Sequence, residues 1–175
     1  MLLFAHVGLA LASARIFSGV SLAFLALGSM LPDVIDKPLG LIVFGSPSMG
    51  RTFAHTLLFL LLLSALCLHS LDIRFFSLAL GVLIHLSLDF MWNSPETLLW
   101  PLLGPFPGGP LLDTMSYLQM ILSGLKNPGI LIPEIVGLAY LIFLGYAGRR
   151  QISAWIDHHL RERAVCILQT LFRGM

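Results

Sequence analysis

Charge is what this sequence has least of. Only 11% of its 175 residues are Asp, Glu, Lys or Arg, against about 25% in soluble domains. Mean hydropathy is +0.91 and 57% of the chain is hydrophobic. That balance excludes an ordinary soluble domain and leaves an integral membrane protein of one domain. The net charge of +1 gives nucleic acid no bulk attraction. Cysteine is scarce too. Cys67 and Cys166 have no CxxC neighbour, so they read as free thiols, and a zinc–thiolate or redox site is excluded. Residues 1–30 lack a basic leader and a small-residue cleavage site, so they are expected to remain in the mature protein. No internal repeat is visible.

Long apolar runs are what the chain has in plenty. Residues 2–31 form one, broken at Arg15 and at Ser18-Gly19. A single straight helix there would be about 45 Å long, beyond a bilayer core of about 30 Å. A break between Arg15 and Gly19 is therefore expected, with a short helix at 3–14 and a spanning one at 18–31. If the break is a hairpin, His6 returns to the level of Asp33. Pro32 and Pro38 end the second helix, and 38–50 reads as a loop. Residues 53–71 and 75–92 read as two further spans, with Thr52 as an N-cap and 72–74 as a tight connector. The stretch 93–128 holds six prolines yet stays apolar, so it reads as an interfacial or re-entrant cap with Trp100 at headgroup depth. Residues 129–147 form the last span.

The expected fold is an all-α integral membrane protein. It has about four transmembrane helices, a broken N-terminal helix and an amphipathic C-terminal helix. Residues 1–148 make the membrane domain and 149–175 a basic tail lying on the membrane surface. Arg74, Arg149, Arg150, Arg161, Arg163 and Arg173 fall on the C-terminal face, against Lys37, Arg51 and Lys126 on the other. The positive-inside rule makes the C-terminal face cytoplasmic, in a cell (inner) membrane, and turns the Asp33 face outward.

His85 and Asp89 are the exception inside an apolar run. Four residues apart, they share one helix face and can reach one ion. An intramembrane carboxylate costs about 2–3 kcal/mol on insertion scales, which calls for partners. Asp33, Asp36, His55 and His6 are the candidates, brought by alternating spans to the same membrane face. Carboxylates with imidazoles suit zinc, with a position open for water. Asp89 would suit a bridge between ions, Asp33 or Asp36 a ligand or general base, and Arg51 a hold on a phosphate oxygen. His69, His158 and His159 read as interfacial or solvated, and Glu134 as a loop-side carboxylate.

Four strings in order carry a resemblance: Leu31-Pro32-Asp33-Val34-Ile35-Asp36, Arg51-Thr52-Phe53-Ala54-His55-Thr56, His85-Leu86-Ser87-Leu88-Asp89 and Leu98-Leu99-Trp100-Pro101. Over about His6 to Pro101 the chain resembles the predicted membrane-bound metal-dependent hydrolases. Those proteins are in turn distantly similar to zinc-dependent phospholipase C. The resemblance implies metal ligation by Asp33, His55, His85 and Asp89, with His6 and Asp89 holding a second ion, and phosphodiester chemistry. Ala54 and Thr56 depart from the usual Thr and Ser around that histidine, and no further ligand motif comes after Asp89, so one or two zinc ions are expected. The expected function is hydrolysis of phosphodiester bonds in membrane lipids. The alternatives are a proton- or cation-handling transporter, or a scaffold with a structural metal.

Overall fold

The computed structural model of the chain describes residues 3–17, 19–44, 50–107 and 113–149. Among them every regular element is helical. Helix α1 is Leu3–Ser13, α2 Leu22–Phe44, α3 Leu57–Ser70, α4 Ile73–Leu88, α5 Pro95–Leu98 and α6 Thr114–Gly124. Helix α7 is Pro128–Arg149. Two compact units make up the chain, residues 1–140 and 141–175. Within the second, the described residues finish α7, where the Arg149 guanidinium lies 4.0 Å from the Tyr146 ring centroid. The basic tail at 151–172 lies outside the described residues.

Helices α2 and α4 form the spine of the first unit, and small residues let them touch. A Cβ on Gly28 would collide with the backbone of Leu78, and one on Gly81 with the backbone of Leu25 and Ser29. Close backbone approach through small residues is the means by which helices associate where no hydrophobic drive exists. On one side of this crossing lies a core of Leu63, Ala79, Val82, Leu86 and Met91, closed by Leu31, Phe59, Leu60 and Leu98.

The break expected at Arg15–Gly19 is a hairpin. Ala14 to Phe17 turn, Gly19 takes φ +83°, and α1 comes back alongside α2 and α4. Helix α1 also meets α7. Glu134 accepts a hydrogen bond from the Phe4 amide, Gly8 meets Gly137 backbone to backbone, and the Arg15 guanidinium lies 5.6 Å from the Tyr140 ring centroid.

Three boundaries differ from expectation. Helix α2 runs through Pro32 and Pro38 to Phe44 instead of ending at the first proline. Proline removes one amide donor and strains the preceding turn, but the crossing with α4 and the contacts beyond it outweigh that local penalty. Helix α3 starts at Leu57, capped by the Thr56 hydroxyl, which accepts from the Phe59 amide. Residues Phe53–His55 form a separate 3-10 turn. The stretch 93–128 contains α6, because no proline falls between Pro110 and Pro128 and Asp113 caps the helix that begins at Thr114.

One helix among the described residues, α7, is long and apolar enough to cross a membrane. Four were expected. Helices α3 and α4 have 14 and 16 residues, about 21 and 24 Å at 1.5 Å per residue, short of a 30 Å core. The membrane character lies instead in the distribution of side chains. His6, Ser29, Asp36, Thr52, His55, Thr56, Ser77, His85 and Glu134 are buried, while Leu61, Leu62, Leu66, Leu68, Ile132, Ile135 and Val136 are exposed. Soluble monomers rarely expose so continuous an apolar surface.

Candidate metal centre

Asp36 is the anchor of the site. It is fully buried, and its two oxygens accept from the amides of Thr52 (2.7 Å), Ala54 (2.9 Å) and His55 (3.1 Å). The 3-10 turn Phe53–His55 exists because its amides converge on this carboxylate. The same carboxylate accepts from His55 Nδ1 at 2.7 Å. That fixes the tautomer and aims Nε2 away from Asp36. Asp36 thus supports a histidine from behind, whereas its motif alone left ligand and general base equally open.

His85 is held in the same way by a different group. Its Nδ1 donates to the backbone carbonyl of Ser29 at 2.7 Å. A carbonyl only accepts, so Nδ1 carries the proton and Nε2 the lone pair. The two Nε2 atoms, of His55 and His85, face each other at 3.2 Å. The His6 ring stacks on that of His85, centroids 4.0 Å apart.

Asp89 closes the other side. It caps α4, with its side chain only 5% exposed. Oδ1 lies 3.2 Å from His6 Nε2, and Oδ2 accepts from Arg51 Nη2 at 2.9 Å. Asp33 stands one α2 turn before Asp36. Its Oδ1 is 3.8 Å from His55 Nε2, and its Oδ2 accepts from Lys37 at 2.8 Å.

His6, Asp33, His55, His85 and Asp89 therefore meet, with Arg51 at the rim and Asp36 beneath. Two groups among them could hold a metal ion, His6 with His85 and Asp89, and Asp33 with His55 and His85. In each, the ligand atoms lie within 4.8 Å of one another. Two nitrogen ligands on a tetrahedral zinc ion stand about 3.3 Å apart, given Zn–N bonds of about 2.0–2.1 Å. The His55–His85 spacing matches that edge. His85 belongs to both groups, and with Nδ1 committed it has one lone pair to give. The two groups are thus alternatives for His85.

The sequence pointed to these side chains and missed two supports. The Ser29 carbonyl is a backbone group with no residue signature; the hint was small Gly28 beside it. Glu134, read as a loop-side carboxylate near the start of the last span, is buried on α7, where Oε2 accepts from Phe4 and Oε1 has no hydrogen-bond partner among the described residues. The apolar Leu98-Leu99-Trp100-Pro101 string lies near the turn that carries His55. Trp100 stacks on Phe106 with centroids 4.8 Å apart and meets Phe53 edge-on at 6.4 Å.

The fold and the site together define a helical membrane protein with a buried histidine–carboxylate cluster able to hold a metal ion. The model of the YdjM inner membrane protein family matches residues 1–155. The chain belongs to that family. No curated protein and no solved structure matches it.

Proposed function

We propose that this chain is a membrane-embedded, zinc-dependent hydrolase of phosphodiester bonds in lipids. The observation that carries the reading is the 3.2 Å approach of two Nε2 atoms whose partner nitrogens both donate elsewhere. In neutral rings both atoms present lone pairs, and lone pairs so close repel unless a cation stands between them. Nitrogen ligands from His55 and His85 with a carboxylate oxygen from Asp33 suit zinc, as do those of His6 and His85 with Asp89. One ion is the expected content, since His85 serves one at a time.

Bound zinc supplies a water acidified to a pKa of about 7. The chain's own residues do the rest. Asp36 and the Ser29 carbonyl fix the two rings, and His6 steadies Asp89. Asp33 lies at the edge of the cluster, open enough to take a proton. Arg51, with its side chain 49% exposed, offers a guanidinium fork to a phosphate oxygen. The exposed leucines around α3 and α4 support a shallow seat in the bilayer, with the centre at headgroup level. The arginine balance supports an outward-facing centre and a cytoplasmic C-terminus.

Elemental analysis of detergent-purified protein tests the reading, on wild type and Asp89→Asn. About one zinc per chain, reduced in the variant, together with release of phosphorylated headgroup from phospholipid vesicles, is expected. Folded protein without metal in either form would overturn it. The histidine pair would then share a proton, and a proton-handling protein would be the better account.

A further inference from the structure

A groove of about 310 Å³ runs between α3 and α4, lined by Leu60, Ser64 and Cys67 on one side and Phe76, Leu80 and Leu83 on the other. Its end nearer the metal centre is at Leu60. Leu60 is four residues along α3 from Thr56, the residue after His55, about 6 Å at 1.5 Å per residue. Its far end is eight residues along α3, at Leu68, about 12 Å away at 1.5 Å per residue. The Ser64 hydroxyl bonds the Leu60 carbonyl at 2.8 Å, so the one hydroxyl in the wall is already engaged.

Such a groove has no group to hold a headgroup and nothing to hold water, because apolar cavities stay dry. Left empty, its walls lose their dispersion contacts. It opens beside Leu61, Leu62 and Leu66, which are exposed on the same helix. In a family of inner membrane proteins, that surface meets lipid. We infer that the groove seats an acyl chain of a membrane phospholipid, whose headgroup then lies at the His55–His85 centre. The position of the headgroup rests on the hydrolase reading; the seating of the chain does not.

The fit comes from the lining, which runs along α3 from Leu60 to Leu68 and is apolar apart from the engaged Ser64 hydroxyl, as a hydrocarbon chain requires. Its length runs away from the centre, so a lipid held there has its polar end at the metal ligands and its apolar end beyond Leu68.

The test uses the full-length chain in vesicles of phosphatidylglycerol and phosphatidylethanolamine carrying a trace of phosphatidylcholine with a diazirine on one acyl chain. After illumination, adducts are mapped by peptide mass spectrometry. Adducts concentrated on Leu60, Ser64, Cys67, Phe76, Leu80 and Leu83 are expected, above those on Leu61 and Leu62. Filling the groove with Ala79→Phe, or with Ser64→Leu if the first variant does not fold, should cut the groove adduct roughly tenfold, the factor that ~1.4 kcal/mol of lost affinity gives. Leu61→Phe on the outer face should leave it unchanged.

Labelling spread evenly over α3, or groove residues spared while Leu61 and Leu62 are labelled, would overturn the inference. The latter would mean that a second copy or the chain's own tail covers the groove. Zinc is measured on the same samples. Groove adducts without zinc would leave the acyl seat standing and overturn only the hydrolase reading. Zinc without groove adducts would do the reverse.

Discussion

The Ser29 carbonyl takes a 2.7 Å hydrogen bond from His85, while the Ser29 hydroxyl turns back to the Ala26 carbonyl. The ligand is thus oriented by the path of the α2 backbone, and that path is set where Gly28 and Gly81 let α2 and α4 touch. Ser29→Ala should leave zinc affinity near wild type. Gly81→Val should lower both zinc affinity and thermal stability, the latter by about 1–3 kcal/mol from overpacking. Chelator competition and thermal unfolding in detergent measure the two effects. Equal losses in both variants would contradict the account.

His85 is common to both groups of ligands. His85→Ala should therefore empty the centre, while His6→Ala and Asp33→Ala should each leave a fraction of the metal bound. Elemental analysis of the three variants decides. A His85→Ala protein that is folded and fully loaded would remove that residue from the ligands.

Asp36→Asn keeps the size of the side chain but turns one acceptor into a donor, facing three amides and an imidazole N–H. Loss of such a support behind a ligating histidine costs about 10–100-fold in metal affinity. Titration against a competing zinc chelator measures it, and an affinity within about twofold of wild type would rule out the support role.

Glu134 tethers α1 to α7 through one oxygen. An amide oxygen can accept that bond as well, so Glu134→Gln should fold like wild type. Glu134→Leu leaves the Phe4 amide unpaired and should cost about 1–3 kcal/mol, the usual penalty for an orphaned buried donor. Thermal unfolding of the two variants separates them.

Arg51 pairs with Asp89 from an exposed position, where ion pairs contribute about 0–1 kcal/mol. Arg51→Ala should leave stability and zinc content unchanged. On the hydrolase reading it should raise KM for a phosphodiester more than it lowers kcat. A loss confined to kcat would place the guanidinium elsewhere in the reaction.

The cluster was legible because its residues repeat at helical spacing. His85 and Asp89 lie four apart on α4, and Asp33 and Asp36 three apart on α2, so each pair shares a face whatever the exact helix ends. The break between Arg15 and Gly19 was legible from length, but that it is a hairpin was not. Asp36's part was not, because a motif names a carboxylate without saying which way it faces. Proline misled the reading of α2, since a local breaker says nothing of the contacts that Pro32 and its neighbours make across the fold. Counting apolar runs overstated the spans, because several runs are divided between a helix and a turn. The His55 string and the start of α3 are the clearest case.

The α1 contacts have a consequence for how the molecule is made. His6 lies on α1, yet its partner Asp89 is 83 residues later, and Glu134, which tethers α1 to α7 through the Phe4 amide, is 130 residues beyond Phe4. During synthesis α1 can pack on α2 early, but its contacts with α4 and α7 wait until those helices have emerged. His55 and His85 meet earlier, separated by 30 residues. The histidine pair is therefore complete well before α7 is made and closes against α1.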